Sequence, residues 1–250
     1  MKRLPLFVSA VVMGMAGCVN DSPLFVTNFY PLDPDGTGEC QIKVGEVSQY
    51  NGSVNIAAGA NFYLVTALKS TMESSNNTVV DSVPLANGIE RNTILVDTLS
   101  LTYTAPATEF YRAMEVTSER VPVSIPIKPG ADSLISMAFF GPAGYTALNN
   151  VLSNPITDGG FVDDGGFRFF PSFGVKVKVE FSGDIISGGR VRSVPVTFPI
   201  DVYNTRFKCP AGQFPCPTSI CGNVGGQDGR PIICSSPDPD GGMPVCPVKK

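Results

Sequence analysis

The chain has 250 residues, 18 basic against 22 acidic side chains and a formal net charge of −4, with no basic run, which argues against a nucleic-acid binder. Charged residues are 16% of the sequence, hydrophobic ones 43%, and Gly and Pro number 26 and 22, a mix suited to short strands and tight turns around a core. Histidine is absent, which removes Ser-His-Asp and Cys-His catalysis, His-ligated metals and imidazole acid–base chemistry.

Residues 1–17 read as an export signal. Lys2 and Arg3 form a basic head, an apolar run follows from Leu4 to Met15, and the small residues Ala16 and Gly17 lead into Cys18. Twelve residues of helix rise roughly 18 Å, short of a hydrocarbon core about 30 Å thick. The polar residues Asn20, Asp21 and Ser22 come at once, so no stop-transfer stretch follows. Loss of Lys2 and Arg3 with the signal would take the net charge from −4 to −6.

Met15-Ala16-Gly17-Cys18 resembles the lipobox of bacterial lipoproteins, with Met15 in place of the commoner Leu. The resemblance covers these residues alone. It implies a diacylglyceryl group on the Cys18 thiol, cleavage before Cys18, acylation of the new amino terminus and palmitate-type chains. Two or three acyl chains hold a protein stably where one holds it marginally. In that family's sorting rule an Asp after the cysteine retains the protein in the inner membrane. Val19 stands there, so the expected location is the outer membrane.

Residues 18–39 read as a lipidated tether, ending in the turn-rich run Asp33-Pro34-Asp35-Gly36-Thr37-Gly38. The D-x-D-G letters recur at Asp238-Pro239-Asp240-Gly241, but neither run continues with the spacing or closing Glu of an EF-hand.

Residues 40–207 read as one β-domain. Expected strands are Gln41–Gln49, Ser53–Ala57, Phe62–Lys69, Thr93–Thr104, Val121–Ile127, Ser133–Phe140, Phe173–Phe181 and Val191–Tyr203. Val175, Val177, Val179 and Phe181 alternate with Lys176, Lys178 and Glu180, and Val194, Val196, Phe198, Ile200 and Val202 repeat the pattern. These two runs should form a long hairpin across Ser187-Gly188-Gly189. In Thr93–Thr104, one face carries Leu95, Asp97, Leu99, Leu101 and Tyr103, which turns Asp97 inward. A bulge near Asp97-Thr98 would instead bury Ile94 and Val96, and the sequence leaves both open.

Pro122 with Pro126, and Pro195 with Pro199, sit four apart. Each pair removes two donors from one side of a strand, so both segments should lie at a sheet edge or change partners along their length. Gly144–Leu152 carries Tyr145, Leu148, Val151 and Leu152 at helical spacing before Pro155, and reads as a short helix crossing between sheets. The fold class is therefore all-β, an antiparallel immunoglobulin-like sandwich with a short helix and a disulfide-rich C-terminal tail. A membrane-spanning barrel would need lipid-facing alternation in nearly every strand.

Two chemical readings attach to this domain. Asp158, Asp163 and Asp164, in the acidic glycine-rich run 158–166, are weak candidates for calcium, with no other metal expected. A carboxylate-pair glycosidase is the one enzyme class left with room, and Glu109, Glu115 and Glu119 lie in a polar stretch with Tyr103 and Tyr111, a spacing that equally suits a solvated connection. No S-x-x-K motif and no phosphate-cradling glycine motif occurs. Trp is absent too, and the cluster Phe167, Phe169, Phe170, Phe173 reads mainly as core.

Residues 208–250 hold five cysteines, eight prolines and seven glycines, too little apolar bulk for a core, so disulfides should staple this tail. Setting Cys18 aside leaves Cys40, Cys209, Cys216, Cys221, Cys234 and Cys246, an even number suited to an oxidising compartment. Zinc is disfavoured by the lack of any C-x-x-C pair or His. If all six pair, one tail cysteine needs an outside partner, and Cys40 is available.

The expected function is a non-catalytic, lipid-anchored envelope protein whose sandwich binds or scaffolds another envelope protein or polymer, without cofactor and without nucleic acid. The alternatives are a carboxylate-dependent hydrolase of envelope glycans and a calcium-stabilised adhesion module.

Overall fold

The computed structural model describes residues 22–34, 40–42, 48–56, 61–74, 90–156, 162–164, 167–169, 172–203, 214–217 and 232–235. In chain order the strands are β1 (Leu24–Tyr30), β2 (Leu32–Pro34), β3 (Cys40–Ile42), β4 (Gly52–Asn55), β5 (Tyr63–Ser70), β6 (Ile94–Thr104), β7 (Ser118–Ile127) and β8 (Asp132–Ala138). The helix α1 (Pro142–Ser153) follows, and then β9 (Val162–Asp164), β10 (Phe167–Phe169), β11 (Phe173–Ile185), β12 (Arg190–Arg192), β13 (Val196–Tyr203), β14 (Phe214–Pro217) and β15 (Ile232–Ser235). The all-β class holds. A six-stranded sheet runs β4-β13-β11-β6-β7 with β12 beside β11, and a three-stranded sheet runs β1-β5-β8. Three two-stranded ladders, β2-β3, β9-β10 and β14-β15, complete the pairing among the described residues.

Alternation builds the large sheet as expected. On β11, Val175, Val177, Val179 and Phe181 are buried while Lys176 and Lys178 are exposed. β11 pairs antiparallel with β13 from Phe173 opposite Val202 to Val179 opposite Val196. The apolar faces of the two larger sheets share one core. At its centre Phe198 from the large sheet meets Phe29 at 5.3 Å, Phe139 at 4.7 Å and Phe62 at 5.6 Å between ring centroids. Each buried Phe contributes about 1.5–3 kcal/mol by removal from water, and each tilted or edge-on ring pair adds roughly 0.5–1.5 kcal/mol.

The bulge in β6 settles which residues of that strand face inward. Asp97 has no partner in either ladder: Val96 pairs Gly183 and Ile125, while Thr98 pairs Ser182 and Pro122. One extra residue reverses the side-chain phase. Ile94 and Val96 before it, and Leu99, Leu101 and Tyr103 after it, are therefore all buried, while Leu95 is exposed. The β11 backbone must come close here. A Cβ on Gly183 would collide with the Leu95 carbonyl oxygen and stand 2.6 Å from Val96 Cα, so only glycine fits.

Asp97 itself points to solvent and is gripped by a guanidinium fork. Arg190 Nη1 and Nη2 donate to its two oxygens at 2.9 and 2.8 Å, and Nη1 also reaches Asp184 at 3.1 Å. The hydrogen bonds from Arg190, and next that from Thr98, pull the Asp97 carboxyl down to about 2 from its ordinary 3.8.

Several expectations need correction. Leu24–Tyr30, read as tether, is a core strand: β1 pairs β5 from Leu24 opposite Ser70 to Tyr30 opposite Val65, and Leu24 and Phe29 are buried. The folded region therefore begins well before Cys40. The large sheet is mixed rather than purely antiparallel, because β4 pairs β13 in parallel from Gly52 opposite Ile200 to Asn55 opposite Tyr203. β7 is an edge strand, as its prolines suggested. β13 changes partners along its length, with only its second half beside β4. The run expected over Val191–Tyr203 breaks at residues 193–195. Ser193 turns inward, its amide donating to Phe181 O at 2.7 Å and its hydroxyl accepting from Phe181 N at 2.9 Å, which leaves Val194 exposed. Within Gln41–Gln49 the described strand ends at Ile42.

The elements give the domain two ends. The start of β1, the Lys128–Ala131 turn and the turn through Gly188 and Gly189 lie toward one end. Both of those glycines have positive φ, 112° and 97°. The β6–β7 loop of residues 105–117 and α1 lie at the other.

Because the Asp97 carboxyl is held low, its ion pair adds stability that is complete above pH 3.8 and is lost as pH falls toward 2. Urea midpoints of wild type and Asp97→Asn should therefore differ most above pH 4 and converge toward pH 2. A gap that stays constant over that window would contradict this assignment.

Candidate functional site

The end of the domain formed by α1 and residues 105–117 gathers most of the chemistry anticipated for the β-domain. Helix α1 starts with Gly141 at the N-cap and Pro142 in its first turn, and has no side-chain cap of its own. Its free N–H groups need an outside acceptor. Glu119 supplies it from the start of β7. Ala143 N donates to Oε2 at 3.1 Å and Gly144 N to Oε1 at 2.9 Å. The Tyr103 hydroxyl donates to the same Oε1 and accepts from Gly141 N at 3.1 Å. A carboxylate at a helix N-terminus also meets the positive end of the helix dipole.

Glycine makes room for this arrangement. A Cβ on Gly141 would lie 2.5 Å from the Glu119 carboxyl carbon, and one on Gly144 would lie 2.5 Å from the Tyr103 hydroxyl. The helix and the carboxylate touch because neither residue has a side chain. Burial, and then the neighbouring Glu119 carboxylate, push the Tyr103 phenol far above its ordinary range, so it stays a donor at every working pH. Tyr103 also stacks on Phe140 at 5.9 Å, tying the large sheet to the segment that enters α1.

The loop 105–117 is held from below. Tyr111 is fully buried and packs edge-on against Phe173 at 5.7 Å, and burial raises its phenol. Thr108 N donates to Tyr111 O at 2.8 Å, and Ile156 N donates to Phe110 O at 2.8 Å, joining the loop to the segment after α1. Between loop and helix lies an open groove of about 460 Å³. Arg112 and Glu115 line it from the loop, and Asn150, Val151, Asn154 and Ile156 from the helix side. Arg112 and Glu115 are exposed, as is about half of Ile156.

The three glutamates are thus separated by role. Both oxygens of Glu119 are engaged by α1, Glu115 lines the groove, and Glu109 is an exposed loop residue. Sequence reading missed the cap. A usable signal was present: Glu119 shares its strand phase with Val121, Val123 and Ile125, all partly buried. An inward carboxylate demands a partner.

The other anticipated residues fall elsewhere. Cys18, Cys209, Cys221, Cys246 and Asp158 lie outside the described residues. Cys40 stands opposite Pro34, Cys216 opposite Ile233 and Cys234 opposite Pro215 in their ladders. Asp163 and Asp164 belong to β9, opposite Arg168 and Phe167, so that part of the acidic run is a strand pair rather than an open loop. Phe167 and Phe169 are on β10, Phe170 lies outside the described residues, and Phe173 is in the core. Among the described residues no group of three Cys, Asp or Glu is placed to hold a metal ion, and no helix is long and apolar enough to cross a membrane.

Glu119→Ala should cost about 1–3 kcal/mol in urea denaturation, the usual penalty for orphaning buried donors. Gly144→Ala should cost a similar 1–3 kcal/mol by displacing the same carboxylate. The double variant should cost clearly less than their sum, because both lose one contact. Additive losses would show that the cap is not the shared cause.

The chain matches no family model, no curated protein and no solved structure, so its function has to be read from these residues.

Proposed function

We propose that the chain is a lipid-anchored protein of the bacterial cell envelope whose immunoglobulin-like β-domain is a non-catalytic binding or scaffolding module. The observation that carries the anchor is Met15-Ala16-Gly17-Cys18 behind a basic head and a short apolar run. Val19 after the cysteine favours the outer membrane by the sorting rule of that family. The partner is another envelope protein or polymer, engaged through the groove between the 105–117 loop and α1.

The arrangement of carboxylates supports binding over hydrolysis. A glycosidase of either stereochemistry uses a pair of free carboxyls flanking the scissile bond. Glu119 accepts hydrogen bonds on both oxygens from α1, which commits it to holding the helix rather than flanking a scissile bond. The groove instead offers a fixed mixture of opposite charges, the Asn150 and Asn154 amides and the apolar faces of Val151 and Ile156. That is the composition of a polar contact surface around a small apolar centre.

The anchor is tested on native cells. The mature N-terminus should begin at Cys18 with the mass of a diacylglyceryl group, and Cys18→Ala should move the protein from the membrane to the soluble fraction. A retained Met1, or an unmodified Cys18, overturns the reading. A photo-crosslinking amino acid at Asn150 should give a discrete envelope adduct that the same group at Ser124 on β7 does not give. Identical patterns at the two positions would remove the groove from the proposal.

A further inference from the structure

We infer that the domain stands on the membrane in one orientation, with the end carrying the Lys128–Ala131 turn against the lipid surface and the groove facing away from it. This rests on the lipid anchor at Cys18 and adds to it the interaction surface. The first described residues are already part of the domain. Ser22 is already fastened: its hydroxyl donates to Arg192 O, it accepts from Leu24 N at 3.3 Å, and Pro23 O accepts from Thr71 N at 2.9 Å. Four residues from Cys18 to Ser22 reach at most about 14 Å when fully extended. Of the tether expected over residues 18–39, only residues 18–21 therefore separate Cys18 from the described domain, a short leash.

The leash reaches only one end. Leu24 pairs Ser70, and Ser70 N donates to Ala131 O at 3.2 Å, so the turn at Lys128–Ala131 borders the first anchored strand. On the large sheet, Arg192 is level with Ser182, and Ser182 with Thr98. From Thr98 to the end of β6 at Thr104 is six residues, about 20 Å of strand, and the loop 105–117 and α1 lie beyond. The groove therefore lies farther from the lipidated residue than the Lys128–Ala131 turn does, which favours the upright orientation. Ser187 N donates to Arg91 O and Asn92 Nδ2 to Glu73 O, both at 2.8 Å, so Arg91 and Glu73 lie by the Gly188 turn, and both signs of charge are present at this end. The length of the leash, rather than net charge, sets the orientation.

The test uses the full-length lipidated protein in vesicles of phosphatidylethanolamine and phosphatidylglycerol containing a headgroup spin-labelled lipid. A fluorescent amino acid is placed at the exposed Lys128 or at the exposed Asn149 on α1, and Cys18 acylation is verified by mass. The expected result is loss of emission at 128 with emission at 149 unchanged. Acylated protein quenched equally at both positions, or only at 149, overturns the orientation while leaving the anchor intact. Protein with an unmodified Cys18 overturns the anchor and the orientation together.

Discussion

The carboxylate of Glu119 at the start of α1 is the contact on which the functional end of the molecule depends. A twelve-residue helix with Gly at its N-cap and another in its first turn has little stability by itself. What fixes it is a charge from another element, 24 residues back in the chain, aimed at two of its free N–H groups. Tyr103 adds a third point by bridging the carboxylate and Gly141 N. The helix thereby becomes an extension of the large sheet, and the loop that joins β6 to β7 is drawn beside it. The groove is the space left between two segments whose positions are set by the same sheet.

The core beneath serves this arrangement through one irregularity. Without the bulge at Asp97, burying Ile94 and Val96 would turn Leu99, Leu101 and Tyr103 outward, and the hydroxyl of Tyr103 would not reach Glu119. The extra residue reverses the phase partway along β6, so both halves face the core and Tyr103 arrives at the far end pointing inward. Gly183 lets β11 close over the bulge. The cost of the unpaired residue is offset at the surface, where Asp97 is held by the Arg190 fork. The strand defect at Asp97 and the helix cap reached by Tyr103 are thus linked along one strand.

What could be read from the sequence was what repeats locally. The β11–β13 pair was legible because four inward apolar residues alternate with Lys176, Lys178 and Glu180. The helix was legible from Leu148, Val151 and Leu152 before Pro155. The first strand was not, because its register shifts between Val26 and Asn28 and blurs the alternation of LFVTNFY. Nor was the parallel pairing of β4, since a crossover contact leaves no local signature. The capping role of Glu119 was hidden for the same reason. Its polarity was visible and its partner was not, because Ala143 and Gly144 advertise nothing in their side chains.

The most direct measurement is native-state hydrogen exchange at the Ala143 and Gly144 amides, compared between wild type and Glu119→Gln. If the charged carboxylate holds the helix to the sheet, both amides are strongly protected in the wild type, and protection drops there and through the first turn of α1 in the variant. It persists on β11, at Val177 and Val179. Equal protection of Ala143 and Gly144 in the two proteins would mean that α1 is held by its buried face alone and that Glu119 does not organise this end of the domain.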